Sequence, residues 1–216
     1  MAMMGSVFLV PIFVQTFLGL SATESGYLFI PMALGLMFAA PFGGMLTGKV
    51  QSRYIIFIST LGAGFGIYLF SYIDARSTAI NIMIPLATMS AFLGFGMAQR
   101  TSIIASLVPD RQIGVASGVL TLVRNIAGAF GIAFFGTILS NTINSNVLAT
   151  AAHSSINSVD PAIIKQGIAL IILKSQITAY ADVFLIASVV VFAGAFLALG
   201  IKIDKEKVGV HVIAEG

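Results

Sequence analysis

Long apolar stretches separated by short polar segments run along the chain. Each stretch holds about the twenty residues that a helix needs to cross a hydrocarbon core of roughly 30 Å. The pattern therefore predicts an all-α membrane protein, a six-transmembrane-helix bundle (residues 1–201) followed by a polar cytoplasmic tail (residues 202–216). The predicted spans are Met1–Leu20, Ser25–Gly48, Tyr54–Ile73, Ala79–Ser106, Ile113–Leu139 and Tyr180–Ile201.

Composition supports a location in the membrane. Hydrophobic residues make up 58% of the 216 residues and charged residues only 9%, whereas soluble domains carry about 25% charged residues. The chain has no Cys, and His153 and His211 lie far apart in polar segments, so we expect no metal site and no cofactor. The net charge of +3 is small and lies in short loops, which does not favour nucleic-acid binding.

The longest connection between predicted spans is the outer loop, residues 141–179. Its polar start is followed by Pro161, which suits the first position of a helix. The segment Ala162–Ile177 is apolar but interrupted by Lys and Gln residues, so we expect an interfacial helix lying at the outer membrane surface. A seventh span is the alternative, although its apolar core Gly167–Leu173 is short for a crossing.

The distribution of Lys and Arg predicts the orientation of the bundle, because these residues concentrate in cytoplasmic loops. If the loop around Lys49 and Arg53 is cytoplasmic, alternation of the spans assigns the remaining loops and places both termini in the cytoplasm. The cytoplasmic side then carries Lys49, Arg53, Arg100, Arg111, Lys202, Lys205 and Lys207, and the outside carries Arg76, Lys165 and Lys174.

Small residues recur four positions apart in two of the predicted spans. Such spacing leaves a smooth stripe on one helix face, where a second helix packs closely. In the second span one stripe is Gly35, Ala39 and Gly43, and another is Ala40, Gly44 and Gly48. In the fifth span the glycines expected to pack against a neighbouring helix are Gly114, Gly118, Gly128 and Gly131.

Arg124 is a charged residue near the middle of the fifth span. An arginine at the centre of a membrane helix costs about 2.5 kcal/mol or more on insertion scales, so it needs a partner, water or a substrate. We interpret Arg124 as a residue that lines a substrate cavity or acts in gating. The alternative is a structural arginine that bonds helix carbonyls or reaches towards the headgroups.

Other polar side chains lie near the ends of the predicted spans. Gln15 either faces a central cavity or bonds a neighbouring helix. Arg100 is expected to reach the cytoplasmic headgroups or to pair with Asp110. Glu24 and Asp182 are expected to cap helix N-termini, with a role in an outer gate as the alternative.

The chain is rich in flexible and aromatic apolar residues, with nine Met and 17 Phe. Met adapts its shape and could line a pocket for bulky apolar compounds. The alternative is that these side chains face lipid or packed helices. The residues that we expect in such a pocket are Met32, Met89, Phe92 and Met97.

Several groups of residues, taken in order, resemble one family of membrane transporters. They resemble the carboxy-terminal half of the fourteen-helix drug:proton antiporter branch of the major facilitator superfamily. The first group is Leu9, Pro11, Gln15, Gly19, Gly26 and Pro31; the second is Val108, Pro109, Gly114, Ala116, Ser117, Gly118, Arg124, Gly128, Gly131 and Ala133; the third is Ala179, Tyr180, Ala181, Asp182 and Phe184.

The cytoplasmic loop of that superfamily carries a pattern Gly-x-Leu-x-Asp-Arg-x-Gly-Arg-Arg/Lys. The resembling stretch here begins at Gly44 and keeps the basic residues Lys49 and Arg53. Gly48 stands in place of the acid and Gln51 in place of the second glycine. The resemblance therefore implies the loop but does not carry over a gating role that uses the acid.

The resemblance implies half of a major facilitator fold in a multi-pass protein of the cell membrane. It implies export of drugs or other amphipathic small molecules by proton antiport with alternating access. The expected partner of this half is the missing amino-terminal half or a second copy of the chain. The alternative is a truncated or accessory membrane protein that packs with another membrane subunit without transporting. An enzyme is not expected, since no Ser/His/Asp, metal-ligand or phosphate-loop cluster occurs.

Overall fold

The computed structural model describes residues 1–74, 76–153 and 161–200. These residues form seven helices and two short 3₁₀ turns, Phe70–Tyr72 and Asp110–Gln112. The helices are α1 (Ala2–Phe17), α2 (Ala22–Tyr27), α3 (Ile30–Met45), α4 (Ser52–Leu69), α5 (Ala79–Leu107), α6 (Ile113–His153) and α7 (Pro161–Ala198). The expected tail, residues 202–216, lies outside the described residues.

Five helical stretches are long and apolar enough to cross a membrane, and α1, with 16 residues, is a shorter apolar helix. The five stretches are Ala22–Met45, Ser52–Tyr72, Ala79–Ile103, Ile113–Thr150 and Gln166–Ala198. Each matches one of the predicted spans in order, although the last two extend well beyond the predicted boundaries. The predicted all-α membrane bundle is therefore confirmed.

The second predicted span consists of two helices, α2 and α3. The short helix α2 begins with a capping box, in which the Ser21 hydroxyl accepts from the Glu24 amide and the Glu24 carboxylate accepts from the Ser21 amide. The helix is then interrupted before Pro31, which lies in the first turn of α3. Leu28 and Phe29 keep helical dihedral angles, and the interruption arises because proline has no backbone N–H to bond the carbonyl four residues earlier. Pro41 lies inside α3 without ending it.

The prediction of a loop over residues 141–179 containing a separate interfacial helix is wrong. Helix α6 continues to His153, and α7 runs without interruption from Pro161 to Ala198. The polar residues after Leu139 resembled a loop, but no Gly or Pro occurs between Gly136 and Pro161 to stop a helix. The segment Ala162–Ile177 is helical, as expected, but it is the first half of α7.

Successive spans run in alternating directions, and α4 lies at the centre of the bundle. Ser59 of α4 approaches Gly96 of α5, whereas Gly66, further along α4, approaches the earlier residue Met89. The same reversal relates α4 to α7, since Phe57 contacts Phe196 and Phe70 stacks on Phe184. On α4, Ala63 and Ile67 are fully buried. The hydrophobic core therefore lies where α4 meets α5 and α7.

Helices α6 and α7 extend past the ends of the other spans. Phe17, the last residue of α1, contacts Tyr180 edge to face with ring centroids 5.6 Å apart. Tyr180 thus marks the level at which α1 ends, and the part of α7 before it projects beyond that level. There, Ser175 Oγ donates to Thr150 Oγ1 of α6 at 3.5 Å. The described end of α6 and the described start of α7 therefore project together beyond the end of α1.

Glycines permit the closest contact between α3 and α5. A Cβ added at Gly43 would lie 2.7 Å from the carbonyl carbon of Phe95, and one added at Gly94 would lie 2.9 Å from the carbonyl oxygen of Leu36. A Cβ at Gly35 would similarly overlap Ser90 Oγ and approach the Ala87 carbonyl. The two backbones touch along this line, as small-residue spacing allows in membranes.

Candidate functional site

Gln99 is the fully buried polar centre of one end of the bundle, with 0% of its surface exposed. Its Nε2 donates to Thr47 Oγ1 at 2.8 Å and more weakly to the Gly43 carbonyl at 3.5 Å. Its Oε1 accepts from Ser52 Oγ at 2.9 Å. One side chain of α5 therefore ties together the end of α3, the following turn and the start of α4.

Gln99 is not among the residues for which the sequence predicts a role. Its partners lie 47 to 56 positions away in the chain, so no local spacing points to them. The available signal was a single uncharged polar residue inside an apolar helix, since such residues usually bond across helices.

Replacing Gln99 with Met is expected to lower the melting temperature of the detergent-purified protein by about 5 °C. Methionine keeps the side-chain length but leaves Thr47 and Ser52 without their buried partner, a loss of about 2 kcal/mol. Thermal unfolding followed by circular dichroism measures the change. The control is Gln112→Met, since Gln112 is exposed and should melt like the unmodified protein. Equal melting temperatures for both variants would show that the Gln99 bonds contribute nothing.

The turn that Gln99 holds is the loop containing Gly44, Lys49 and Arg53. Gly48 adopts the left-handed conformation with φ of 81°, which glycine reaches without strain. This backbone geometry explains a glycine where the superfamily pattern has an acid. Lys49 is exposed. Gly44 lies at the end of α3, and no atom lies within 4 Å of a Cβ built there.

Arg53, at the start of α4, is half-buried beside Tyr54. Its guanidinium carbon lies 4.8 Å from the centre of the Tyr54 ring, a cation–π distance. Its Nη2 donates to the Tyr54 hydroxyl at 3.2 Å, while its enclosed Nε has no hydrogen-bond partner among the described residues. The loop therefore presents an exposed lysine and a more constrained arginine at the same end of the bundle.

Arg124 lies within α6 and is exposed in the described part of the chain. Neither a hydrogen bond nor an ion pair joins it to another described residue. Met1 of α1 lies against Gly131, further along α6. Arg124 lies one turn before Gly128, outside the stretch of α6 that contacts Met1 and Met4.

Arg100 does not reach the headgroups as expected. Its Nη2 donates to Thr60 Oγ1 at 3.0 Å and to Ser59 Oγ at 3.3 Å, both on α4. The side chain of Asp110, the other expected partner, lies outside the described residues. The hydroxyls of α4 hold this guanidinium inside the bundle because Gly96, one turn earlier on α5, leaves room for Ser59.

Three of the four residues expected in an apolar pocket, Met32, Met89 and Phe92, lie in or against the same hydrophobic core, and Met97 does not. Met97 is 52% exposed, whereas Met89 is fully buried. Phe92 packs so closely on Gly62 that a Cβ there would overlap its ring, and Met89 packs in the same way on Gly66. The α5 residues 89, 92, 96 and 99 recur at helical spacing and face the core, which puts Met97 on a different side. Met32 is half-buried against the core.

The glycines of α6 divide into two pairs. A Cβ at Gly128 would lie 3.4 Å from Met4, and one at Gly131 would overlap the Met1 backbone, so both lie against α1. No described atom lies within 4 Å of a Cβ at Gly114 or Gly118. The expected close packing of these two glycines therefore does not occur within the described residues.

The remaining predicted polar sites lie near the other end of the bundle. Gln15 is exposed on α1. Glu24 forms the capping box described above, as expected for a helix N-terminus. Asp182 is exposed but lies well inside α7, so the expectation that it caps a helix N-terminus is wrong. The continuous helix from Pro161 is the reason.

An open apolar groove of about 280 Å³ lies along α6 and was not expected from the sequence. Two exposed aromatic side chains, Phe130 at 67% and Phe134 at 44%, form part of its wall. The residues that line it are Phe130, Ala133, Phe134, Thr137 and Ile138. The groove adds an apolar surface beyond Arg124 on the same helix.

Known proteins similar to this chain are membrane transporters. The family model of the Major Facilitator Superfamily matches residues 1–132. The uncharacterized MFS-type transporter Rv1877 of Mycobacterium tuberculosis is 30% identical over 209 residues, which cover 92% of this chain and 30% of that protein. The multidrug transporter protein MdtP of Bacillus subtilis is 27% identical over 146 residues, covering 68% of this chain and 27% of MdtP.

A third relative, the multidrug resistance protein B homolog of Mycobacterium tuberculosis, is 26% identical over 88% of this chain and 38% of its own length. The chain thus spans about a third of the length of these relatives. The family match covers more than half of the chain and agrees with the helical bundle and its apolar spans. The chain belongs to the Major Facilitator Superfamily.

Proposed function

We propose that the chain is the carboxy-terminal half of a secondary transporter that exports drugs or other amphipathic small molecules. Export occurs by alternating access and is driven by proton antiport. The observation that carries this proposal is Arg124, which is exposed on an apolar helix of a superfamily member and bonds no other residue that the structure describes. A charge in that position is costly unless water, substrate or an acidic partner meets it.

The low burial of two apolar spans supports the assignment as one part of a larger bundle. We compare the buried share of the most apolar window of each span. It is 11% for Ala22–Met45 and 22% for Ile113–Thr150, but 50% for the central span Ser52–Tyr72. The hydrocarbon tails of lipids can cover apolar side chains on α3 and α6, but they offer no partner to Arg124. The proposed partner is the amino-terminal half, or a second copy of this chain, packed against these two helices.

The names of two relatives support the substrate class. MdtP is a multidrug transporter and another relative is a multidrug resistance protein B homolog. Amphipathic compounds suit a surface that places apolar groups, such as those of the α6 groove, on the same helix as Arg124. Proton antiport is proposed from the resemblance to the drug:proton antiporter branch.

Loss of dye from loaded cells tests the proposed function. Cells lacking their own pumps would produce this chain together with the rest of the transporter and would be loaded with an amphipathic fluorescent dye. We expect energised cells to expel the dye and a protonophore to stop the expulsion. Retention of the dye by cells with abundant membrane-inserted protein would contradict export and favour the accessory, non-transporting role.

The proposed orientation, with both termini in the cytoplasm, is tested by cysteine labelling. The chain contains no Cys, so Lys49→Cys and Ser145→Cys each introduce one thiol at an exposed position. We expect a membrane-impermeant maleimide to label Cys at 145 in intact cells and Cys at 49 only after the membrane is opened. Labelling of both positions from the same side would contradict the six-span topology.

A further inference from the structure

One face of α4 and of the 3₁₀ turn after it is open along its whole length. Its side chains recur at alternating intervals of four and three residues, which is the spacing of a single helical face. One of them, Tyr68, is half-buried and the others are exposed. We call this surface the α4 face, and its residues are Tyr54, Ile58, Leu61, Phe65, Tyr68 and Tyr72.

The α4 face is aromatic at its ends and apolar in the middle. Tyr54 lies at one end, and Tyr68 and Tyr72 contact each other edge to face at the other. Tyr54 and Tyr72 are about 27 Å apart at the rise of a helix, close to the roughly 30 Å thickness of the hydrocarbon core. Tyrosine concentrates at the two membrane–water interfaces. The length and the pattern of this face therefore match the acyl chains of a bilayer.

Two basic side chains lie at the Tyr54 end of the face. The guanidinium of Arg53 lies over the Tyr54 ring, and its Nη2 donates to the Tyr54 hydroxyl. A guanidinium carries five N–H donors, and that bond is the one it makes to a described residue. Lys49 is exposed in the preceding loop, and the positive end of the α4 dipole points to the same surface. This end of the face therefore attracts an anion at headgroup level.

We propose that the α4 face binds one anionic phospholipid. The headgroup phosphate meets Arg53 and Lys49, and an acyl chain lies along Ile58, Leu61 and Phe65. Guanidinium groups recognise phosphate oxygens through paired, charge-assisted hydrogen bonds. The site needs neither export nor a proton gradient, so the inference does not rest on the proposed function.

A second copy of the chain does not suit this face. Two copies that insert in the same direction are related by an axis normal to the membrane, so the same end of each α4 would meet. Arg53 and Lys49 of one copy would then face the same residues of the other. Like charges at close range are unfavourable, whereas a phosphate neutralises them.

Fluorescence of one introduced Trp tests the site, because the chain contains none. Ile58→Trp would be placed in vesicles of equal parts phosphatidylglycerol and phosphatidylcholine, with bromine on the acyl chains of one lipid or the other. Bromine quenches the Trp that it touches. We expect phosphatidylglycerol to be preferred beside this Trp at least fivefold, about the effect of one basic residue near an anionic surface. Equal quenching by the two lipids would overturn the proposal.

The control reporter is Leu197→Trp, in the exposed part of α7. It lies at the depth of Ile58, because its neighbour Phe196 contacts Phe57. We expect the two brominated lipids to quench this Trp equally. A preference as large as that at Ile58→Trp would overturn the proposal, since the net charge of the chain would then attract phosphatidylglycerol everywhere.

The role of Arg53 is tested in the Ile58→Trp chain. Arg53→Gln should lower the preference for phosphatidylglycerol about fivefold, and Arg53→Lys should keep part of it. Arg111→Gln removes an equal charge from an exposed turn at the same end of the bundle and should change nothing. An unchanged preference in Arg53→Gln, or an equal loss in Arg111→Gln, would overturn the proposal. If Arg53→Gln does not fold, Lys49→Gln decides by the same criterion.

Two further outcomes identify a different occupant. Soluble glycerol phosphate has the headgroup chemistry without acyl chains, and we expect it to leave the preference unchanged. Displacement of phosphatidylglycerol by this compound would show a site for free phosphate and contradict a lipid site. Shielding of the Trp in Ile58→Trp from both brominated lipids would show that a second copy covers the face, which would also contradict the proposal.

Discussion

Gly43→Ala is expected to lower the melting temperature of the detergent-purified protein by about 5 °C or more and to reduce its folded yield. The added Cβ would overlap the carbonyl oxygen of Phe95 and lie 3.0 Å from the Phe95 Cα. These are backbone atoms, so no side-chain rotation relieves the contact, and α3 must move away from α5. Overpacking of this kind costs about 1–3 kcal/mol, and here the displacement would also strain the Gln99 bond to Gly43.

The neighbouring residue provides the control for this prediction. Gly44 lies in the same helix, and no atom lies within 4 Å of a Cβ built there. Gly44→Ala should therefore melt at the same temperature as the unmodified protein or slightly higher, since alanine favours helix formation over glycine by up to about 1 kcal/mol. Equal stability of the two variants would show that α3 and α5 are not in backbone contact.

Arg124→Ala in the complete transporter is expected to reduce export of amphipathic dye at least tenfold while the protein remains in the membrane. The side chain is exposed and bonds no described residue, so its removal should not disturb folding. The substitution would remove a positive charge that meets water, substrate or an acidic partner in the proposed cavity. Arg124→Lys should recover export only in part, because lysine lacks the planar set of donors.

The Arg124 measurement is paired, with export rate and membrane abundance determined in the same cells. Lost export with retained protein supports a role in the cavity or in gating. Undiminished export by Arg124→Ala would leave Arg124 as a side chain that only reaches towards the headgroups. Loss of the protein itself would make it a structural residue instead.

Much of the helical bundle could be predicted because membrane spans are recognisable from length and hydropathy alone. The uncharged Asn, Ser and Thr residues after Leu139 were misleading, since these residues occur in loops as well as in helices. A helix-breaking residue would distinguish a loop from a helix, and no Gly or Pro occurs between Gly136 and Pro161. The long outer extensions of α6 and α7 follow from that absence rather than from any positive signal.

The contacts between helices could be predicted only in part. The sequence offers two small-residue stripes on α3, and spacing alone does not show which one packs. The structure places Gly35 and Gly43 against α5 and leaves Gly44 and Gly48 open. In the same way, the isolated charge predicted that Arg124 needs a partner, but the sequence alone does not show which group meets it.

The most direct test of the central proposal is transport by the purified complete transporter in proteoliposomes with an imposed pH gradient. Movement of an amphipathic dye and the internal pH would be recorded together. We predict that dye and protons move in opposite directions, that collapse of the gradient stops both movements, and that Arg124→Ala shows neither. A folded, correctly inserted protein that moves no dye under this gradient would contradict the assignment as a proton-driven exporter.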